Sequence, residues 1–432
     1  MAKKISEVFG MSNEILPDSY VNRGSLDEEL TNLVSIGKVH IALRGASKCG
    51  KSWLRRQILD NPIVVQCRLH KKVIDLYSDA LSQLDIQFIH EVTQSREIKG
   101  TLRATGECGA KLLSKVGLGI DVSAGKTSGS KYVPVGRDIN DLRYVADIIA
   151  GSGRQLVIED YHYLTQEERR CFAFDLKAFW DWGVQVVIVG VWSVDNMMLT
   201  LNPDLSGRVK EIAVSWSNDD LGKILDQGGS ALNISFQEPL RSFLIESAYG
   251  NAGQLQLLVL TLLCDELRLS TGAPSYAVLR DRDKGDNAAM LYAEQLNPLY
   301  QTFAQRVAKG IRGRTKSTNI YAHAMAVIMN ASDYDLLNGF HVDKIFAEAK
   351  QREPRILLGN LKSVLTKIES LQVDKEGRGL VLSYNPIRGV SVVDRQLLLY
   401  RKFATVSWPW DEIISSSEHP EESLQADEES EE

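Results

Sequence analysis

The sequence predicts an α/β fold built on a parallel sheet, followed by a helical stretch and a small domain of three helices and a hairpin. Three observations carry this. Strand-like apolar runs at 39–43, 63–67, 156–158 and 184–189 alternate with segments of helical periodicity, the order that places helices on both faces of a parallel sheet. A glycine-rich loop follows the first run directly. From Asn218 to about Arg312 the spacing of apolar residues turns helical.

The first unit runs from about Tyr20 to Trp216. Val39–Leu43 is a short apolar run followed by Arg-Gly, which suits a buried parallel strand. Lys51–Leu59 reads as a helix, Ile63–Cys67 as a second strand and Lys72–Leu84 as a second helix. Residues 96–137 are rich in Gly, Ser and Lys and read as an inserted hairpin or mobile loop. Leu156–Ile158 and Val184–Val189 are the next strands, and the helix between them opens on Thr165-Gln-Glu-Glu168, a capping-box pattern. Residues 217–312 read as a helical lid with connecting helices, and Pro239 suits a helix start there. In 313–410, Tyr321–Met329, Asp343–Lys350 and Leu358–Leu371 read as three helices. Two short strands, Val381–Tyr384 and Val390–Val393, follow; together they make a winged helix-turn-helix. An N-terminal segment, 1–19, and a disordered acidic tail, 411–432, complete the plan.

Composition narrows the function classes. The chain has 432 residues, 44% apolar and 25% charged, ordinary for globular protein and enough for two to four domains. No apolar stretch reaches 18 residues and the first ten residues hold no apolar signal core, so neither membrane insertion nor secretion is expected. Five widely spaced cysteines without a C-x-x-C suggest neither a disulfide framework nor a zinc cluster, and a reducing cytoplasm is the expected location. The net charge of −6 is a property of the tail. Asp411 to Glu432 hold ten acids and no Lys or Arg, and the rest of the chain stands at +4, with 50 basic against 46 acidic residues. An acidic average therefore does not exclude a nucleic-acid partner.

The sharpest motif is Gly45-Ala46-Ser47-Lys48-Cys49-Gly50-Lys51-Ser52, a G-x-x-x-x-G-K-S loop ahead of a helix that continues with Trp53. The glycines let the backbone curl so that successive N–H groups face phosphate oxygens, at a helix N-terminus that favours anions. Lys51 supplies a point charge for the β- and γ-phosphates, and Ser52 a hydroxyl for Mg²⁺. ATP and Mg²⁺ are the implied ligands. Gly125-Lys126-Thr127 is a decoy, because the glycine the spacing requires at 120 is Ile120. The partner motif is Leu156-Val-Ile-Glu159-Asp160, which puts two carboxylates at the carboxyl end of a strand. By position Glu159 takes the metal and Asp160 acts as base toward the attacking water, and the exchange of these roles stays open. His162 reads as a packing or hydrogen-bonding neighbour. Ser193, after the Val184–Val189 strand, either senses the γ-phosphate or caps a helix. Arg208, in Gly207-Arg208-Val209, either reaches a phosphate across a subunit interface or forms a surface ion pair.

Taken together, residues 18–270 resemble the AAA+/STAND branch of P-loop ATPases. The parts come in a similar order: Tyr20-Val21-Asn22-Arg23, phosphate loop, acidic strand, sensor strand, Gly-Arg-Val and helical lid. The resemblance implies that Tyr20 and Val21 lie against the base and that Arg208 occupies the arginine-finger region. Gly250-Asn-Ala-Gly253-Gln254 resembles the second sensor motif, without the arginine or the proline turn usual there. A C-terminal winged helix accompanies the ATPase in many such proteins. Basic residues Arg306, Lys309, Arg312, Arg314 and Lys316, with Lys362, Lys367, Lys375, Arg378 and Arg388, suit either DNA phosphates or a solvated linker and a protein-docking wing. Trp408 and Trp410 read as packing anchors.

Two functions follow as expectations. One is a hydrolysing ATP switch that controls homo-oligomerisation and the engagement of a separate effector protein, in prokaryotic defence or signalling. The other is an ATP-dependent regulator of duplex DNA of the transposition or replication-loader type. A nucleotide-binding scaffold without hydrolysis fits less well, since both acids are present.

Overall fold

The computed structural model describes residues 2–92, 98–104, 107–115, 131–133, 142–192, 195–310, 318–373, 380–405 and 407–418. They form two compact units: Asn22–Gly45 with Gly50–Ser215, and Met1–Val21 with Ala46–Cys49 and Trp216–Glu432.

The first unit is the α/β core. In chain order it runs α1 (Ser25–Ile36), β1 (His40–Arg44), α2 (Lys51–Ile58), β2 (Ile63–Gln66), α3 (Val73–Ser82), β3 (Ile86–Val92) and β4 (Ile98–Ala104). Next come α4 (Glu107–Lys115), β5 (Lys131–Val133), α5 (Leu142–Ser152), β6 (Leu156–Glu159), a 3₁₀ turn (Tyr161–Tyr163) and α6 (Gln166–Asp181). β7 (Val186–Gly190), α7 (Met197–Leu201) and β8 (Val209–Ala213) complete it. Five strands pair in parallel in the order β2-β6-β7-β1-β8. β7 is buried along its whole length and β1 along all but its last residue, as the unbroken apolar sequences of central parallel strands require. β2, at one edge, alternates, and β8, at the other, buries only Ile212.

The parallel sheet expected from the sequence is therefore present. The stretch read as a hairpin or loop at 96–137 contains more regular structure, beginning earlier. β3, β4 and β5 form a separate antiparallel sheet whose first strand starts at Ile86. The Gly125-Lys126-Thr127 decoy lies outside the described residues. At the start of α6, Thr165 accepts from the Glu168 N–H, so half of the expected capping box is made. The Glu168 carboxylate does not turn back. It accepts from the Val73 N–H at 2.7 Å and ties α6 to the start of α3.

The second unit holds α8 (Asn218–Ala231), β9 (Ile234–Phe236), α9 (Leu240–Ser247), α10 (Ala252–Thr261), β10 (Ala277–Leu279), α11 (Arg282–Gly310), α12 (Ile320–Asn330) and α13 (Asp333–Asn338). α14 (Val342–Arg352), α15 (Leu358–Gln372), β11 (Leu382–Asn385), β12 (Gly389–Val392), α16 (Gln396–Phe403) and α17 (Pro409–Glu418) follow. The N-terminal residues Ile5, Val8 and Phe9 are fully buried in this unit's core. Gly228 of α8 has no Cβ because one there would stand 2.3 Å from the Phe9 ring. The helices α12, α14 and α15 are followed by an antiparallel hairpin, β11–β12, and Phe340 bridges to Val390. Gln372 fastens helix to hairpin. Its side chain is fully buried, accepts from the N–H groups of Val381 (3.0 Å) and Leu382 (2.7 Å), and donates to the Leu382 carbonyl (3.0 Å). One amide thus serves three backbone groups as a strand partner would. Trp410 is fully buried and stacks on Trp408 at 4.9 Å between ring centroids. Among the described residues no helix is long and apolar enough to cross a membrane.

Candidate nucleotide-binding site

The loop Gly45–Ser52 leaves the carboxyl end of β1 and opens α2. Gly50 is the N-cap of α2 at φ +86°, a left-handed conformation that costs a side chain of any size but not glycine. Lys48 is also left-handed, at φ +62°. The Lys51 ammonium donates to the Gly45 carbonyl at 3.0 Å and so bridges the two ends of the loop. Ser52 and Trp53 are half-buried on the first turn of α2. Behind the loop, Arg44 is fixed by Glu211 at 2.7 Å and by Asp195, and Trp192 donates to Glu211 at 3.2 Å.

The outer arm of the loop is held from behind. Asn251, the N-cap of α10, donates from Nδ2 to the Ser47 carbonyl at 2.8 Å. The Gly253 N–H donates to the Lys48 carbonyl at 3.0 Å. The Trp216 indole donates to the Cys49 carbonyl at 2.8 Å. Gly253 allows this approach, since a Cβ would stand 2.5 Å from the Lys48 carbonyl oxygen. The Gly250–Gln254 segment, read as a sensor motif lacking its arginine, thus meets the phosphate loop through backbone and amide groups.

The carboxylates lie at the same edge of the sheet. Arg44 of β1 registers with Gly190 of β7, and Ile188 of β7 with Ile158 of β6, one residue before Glu159. Glu159 accepts from Arg55 of α2, from Nε at 3.1 Å and from Nη2 at 2.7 Å. This pair turns Glu159 toward the helix that carries Ser52. Asp160, left-handed at φ +56°, starts the turn after β6 and accepts from Gln66 at 2.8 Å. Among the described residues no group of three or more His, Cys, Asp or Glu gathers as a metal site. The groups of this edge that could hold Mg²⁺, alongside phosphate oxygens and water, are the Ser52 hydroxyl and the Glu159 carboxylate.

His162 joins the acidic strand to the next one. Its Nδ1 accepts from the Val191 N–H at 3.3 Å, just past β7, so the ring carries its proton on Nε2. Burial is the main cause that lowers its pKa to about 4, with Asp160 opposing and Lys51 and Arg169 adding to the shift.

Arg208 lies at the other end of the sheet. It precedes β8, and its carbonyl accepts from the His40 N–H at the start of β1. β1 spans five residues, about 16 Å, so Arg208 cannot reach the phosphate loop of its own chain. Its guanidinium stacks on Trp180 at 4.6 Å and donates to the Asp204 carbonyl at 2.5 Å. Val21 is buried in the core of the second unit and Tyr20 is half-buried beside it in sequence. Ser193, Arg312, Arg314, Lys316, Lys375, Arg378 and the end of the acidic tail, 419–432, lie outside the described residues.

Sequence reading missed Arg55, Trp216 and the part played by Asn251. Arg55 carried a signal, a cation one helical turn past Ser52, but its partner Glu159 is 104 residues away.

No family model and no curated protein matches the chain. Among solved structures it is similar to the Aeropyrum pernix ORC1 protein in complex with DNA, at 12% identity and a TM-score of 0.39, over 90% of this chain and 93% of that one. It is similar to a Pyrococcus horikoshii STAND protein with a tetratricopeptide repeat sensor, at 10% identity and a TM-score of 0.35. That match covers 95% of this chain and 45% of the other. It is also similar to the Thermotoga maritima RuvB Holliday junction branch migration motor, at 12% identity and a TM-score of 0.34, over 87% and 93%. With its parallel sheet and the phosphate loop between β1 and α2, the first unit has the fold of a P-loop NTPase core.

Proposed function

We propose that the protein binds and hydrolyses ATP with Mg²⁺ and acts as a nucleotide-controlled switch. The observation that carries this reading is the convergence of the Gly45–Ser52 loop and the Glu159-Asp160 carboxylates on one edge of the sheet, with Arg55 joining the two elements. In this reading the loop N–H groups and Lys51 bind the phosphates, and Ser52 and Glu159 hold the metal. Asp160 takes the proton of the attacking water. The left-handed turn at Asp160 sets its carboxylate apart from the Arg55 pair, which supports that division of roles. Arg208 serves a neighbouring copy in a homo-oligomer; its place at the amino end of β1 fits action across an interface only. A separate effector protein, in defence or signalling, is then the partner that reads the ATP state.

A second reading has one observation in its favour. The exposed side of α15 presents Asn360, Lys362, Ser363, Thr366 and Lys367, and Ile387 is 82% exposed at the hairpin turn beside Arg388. A helix and wing with these side chains suit duplex DNA. Binding that weakens steeply with salt and requires ATP would favour it.

The test of the main reading is direct. Lys51→Ala is expected to abolish binding of a fluorescent ATP analogue. Asp160→Asn is expected to bind it and to lose phosphate release, by two or more orders of magnitude if the carboxylate is the base. Full binding by the first variant, or unchanged turnover by the second, would refute the assignment.

A further inference from the structure

The nucleotide reading leaves one lysine of the loop without a task. The Lys48 ammonium donates to Oε1 of Gln396, the first residue of α16. Gln396 is buried and its own amide donates to the Tyr292 hydroxyl at 2.9 Å. Its N–H donates to Asp394 Oδ1 at 3.2 Å, and the Tyr300 hydroxyl donates to Asp394 Oδ2 at 3.0 Å. Between them Arg395 donates to the carbonyls of Tyr249 (2.6 Å) and Gly250 (3.1 Å), directly ahead of the Asn251 cap. Burial raises the pKa of Asp394 and lowers that of Lys48, and each group offsets part of the other's shift.

Peptide geometry gives this arrangement a consequence for the cradle. In a planar trans peptide the carbonyl of one residue and the N–H of the next point in opposite directions. The carbonyls of Ser47 and Cys49 are held by Asn251 and Trp216. The N–H groups of Lys48 and Gly50 therefore face the other way, where a loop of this kind binds phosphate. The Lys48 side chain stands on the same arm, and Gln396 fixes it. Preorganisation of this kind removes ordering cost from binding.

We propose that Gln396 is a positioning residue for the phosphate loop: by holding the Lys48 side chain it sets the loop shape that receives a nucleotide's phosphates. Lys48 itself does not touch phosphate. The proposal rests on Gly45–Ser52 being the nucleotide site.

The test uses the full chain, titrated with fluorescent ADP and ATP, together with turnover at saturating ATP. Lys48→Met and Gln396→Leu are each expected to weaken both nucleotides by about five- to tenfold, the scale of one net hydrogen bond. The double variant is expected to be no weaker than either single one, with turnover at saturation little changed. Gln396→Glu keeps an acceptor for Lys48 and is expected to restore affinity. Tyr292→Phe removes the other bond of Gln396 and is expected to bind like wild type.

Wild-type affinity in Gln396→Leu would overturn the proposal. So would a double variant that loses the product of the two single effects, because Lys48 would then act directly on phosphate. A loss in Tyr292→Phe as large as in Gln396→Leu would reduce the effect to packing and overturn it as well. Lys48 is on a half-buried loop, so its variant tests the idea even where Gln396→Leu fails to fold. If wild type and Lys51→Ala alike bind no nucleotide, the site assignment itself fails. If wild type binds, Lys51→Ala does not and Gln396→Leu is unchanged, the positioning role alone fails.

Discussion

His40 holds three elements together with one ring. Its Nε2 donates to the Leu176 carbonyl of α6 at 2.7 Å, and its Nδ1 accepts from the Val186 N–H at the start of β7 at 3.0 Å. The Nδ1 bond requires the neutral ring, and burial lowers the pKa from 6.5 to about 4, with the Leu176 bond opposing. The unfolded chain binds the proton more readily. The stabilisation is therefore complete above about pH 6.5 and is lost as pH falls toward about 4, a loss of about 3 kcal/mol for this group. Urea unfolding between pH 7 and 4.5 is expected to show falling stability, with a shallower slope in His40→Gln. His162 titrates in the same direction and accounts for part of the slope that remains. At this scale Lys51 and Ser52 were legible because the loop works through fixed spacing along the chain. Glu159 and Asp160 were legible as a pair for the same reason. The Arg55–Glu159 pair was not, because it depends on how two distant elements register in the folded sheet.

Elements reach the site through close backbone contact as much as through side chains. α10 begins against the phosphate loop, and the approach is possible because residue 253 has no Cβ. Gly253→Ala leaves the helix sequence sound but forces helix and loop apart. A loss of about 1–3 kcal/mol in stability is expected, as for other overpacked contacts. A weaker ATP titration should accompany it, and an unchanged titration would show that the Gly253 N–H does not shape the loop. The periodicities of α6, α8 and α10 and the apolar runs of β1 and β7 were readable, since central strands and buried helix faces impose them. β3, β4 and β5 were readable only as an inserted hairpin that a loop matched equally well. Their pairing is antiparallel and apart from the main sheet, and the Gly/Ser-rich composition around them mimics a loop. Gln372 was silent, because an amide serving as a strand partner has no local pattern.

At the scale of the molecule, Arg208 sets an expectation about assembly. Its distance from its own loop means that a direct contact of its guanidinium with phosphate requires a second copy. Turnover per chain is then expected to rise with protein concentration in wild type. In Arg208→Ala it should stay flat while ATP affinity is kept, with size-exclusion in ATP reporting the oligomer. Concentration-independent turnover in wild type would remove this role. The burial of Ile5, Val8 and Phe9 beside α8 carries a consequence of another kind. As the ribosome extends the chain, these residues emerge more than 200 residues ahead of the helix that receives them. The parallel sheet is complete by Ala213 and can form in the meantime. The leading segment must wait, its apolar side chains open to chaperones until translation supplies the groove they occupy.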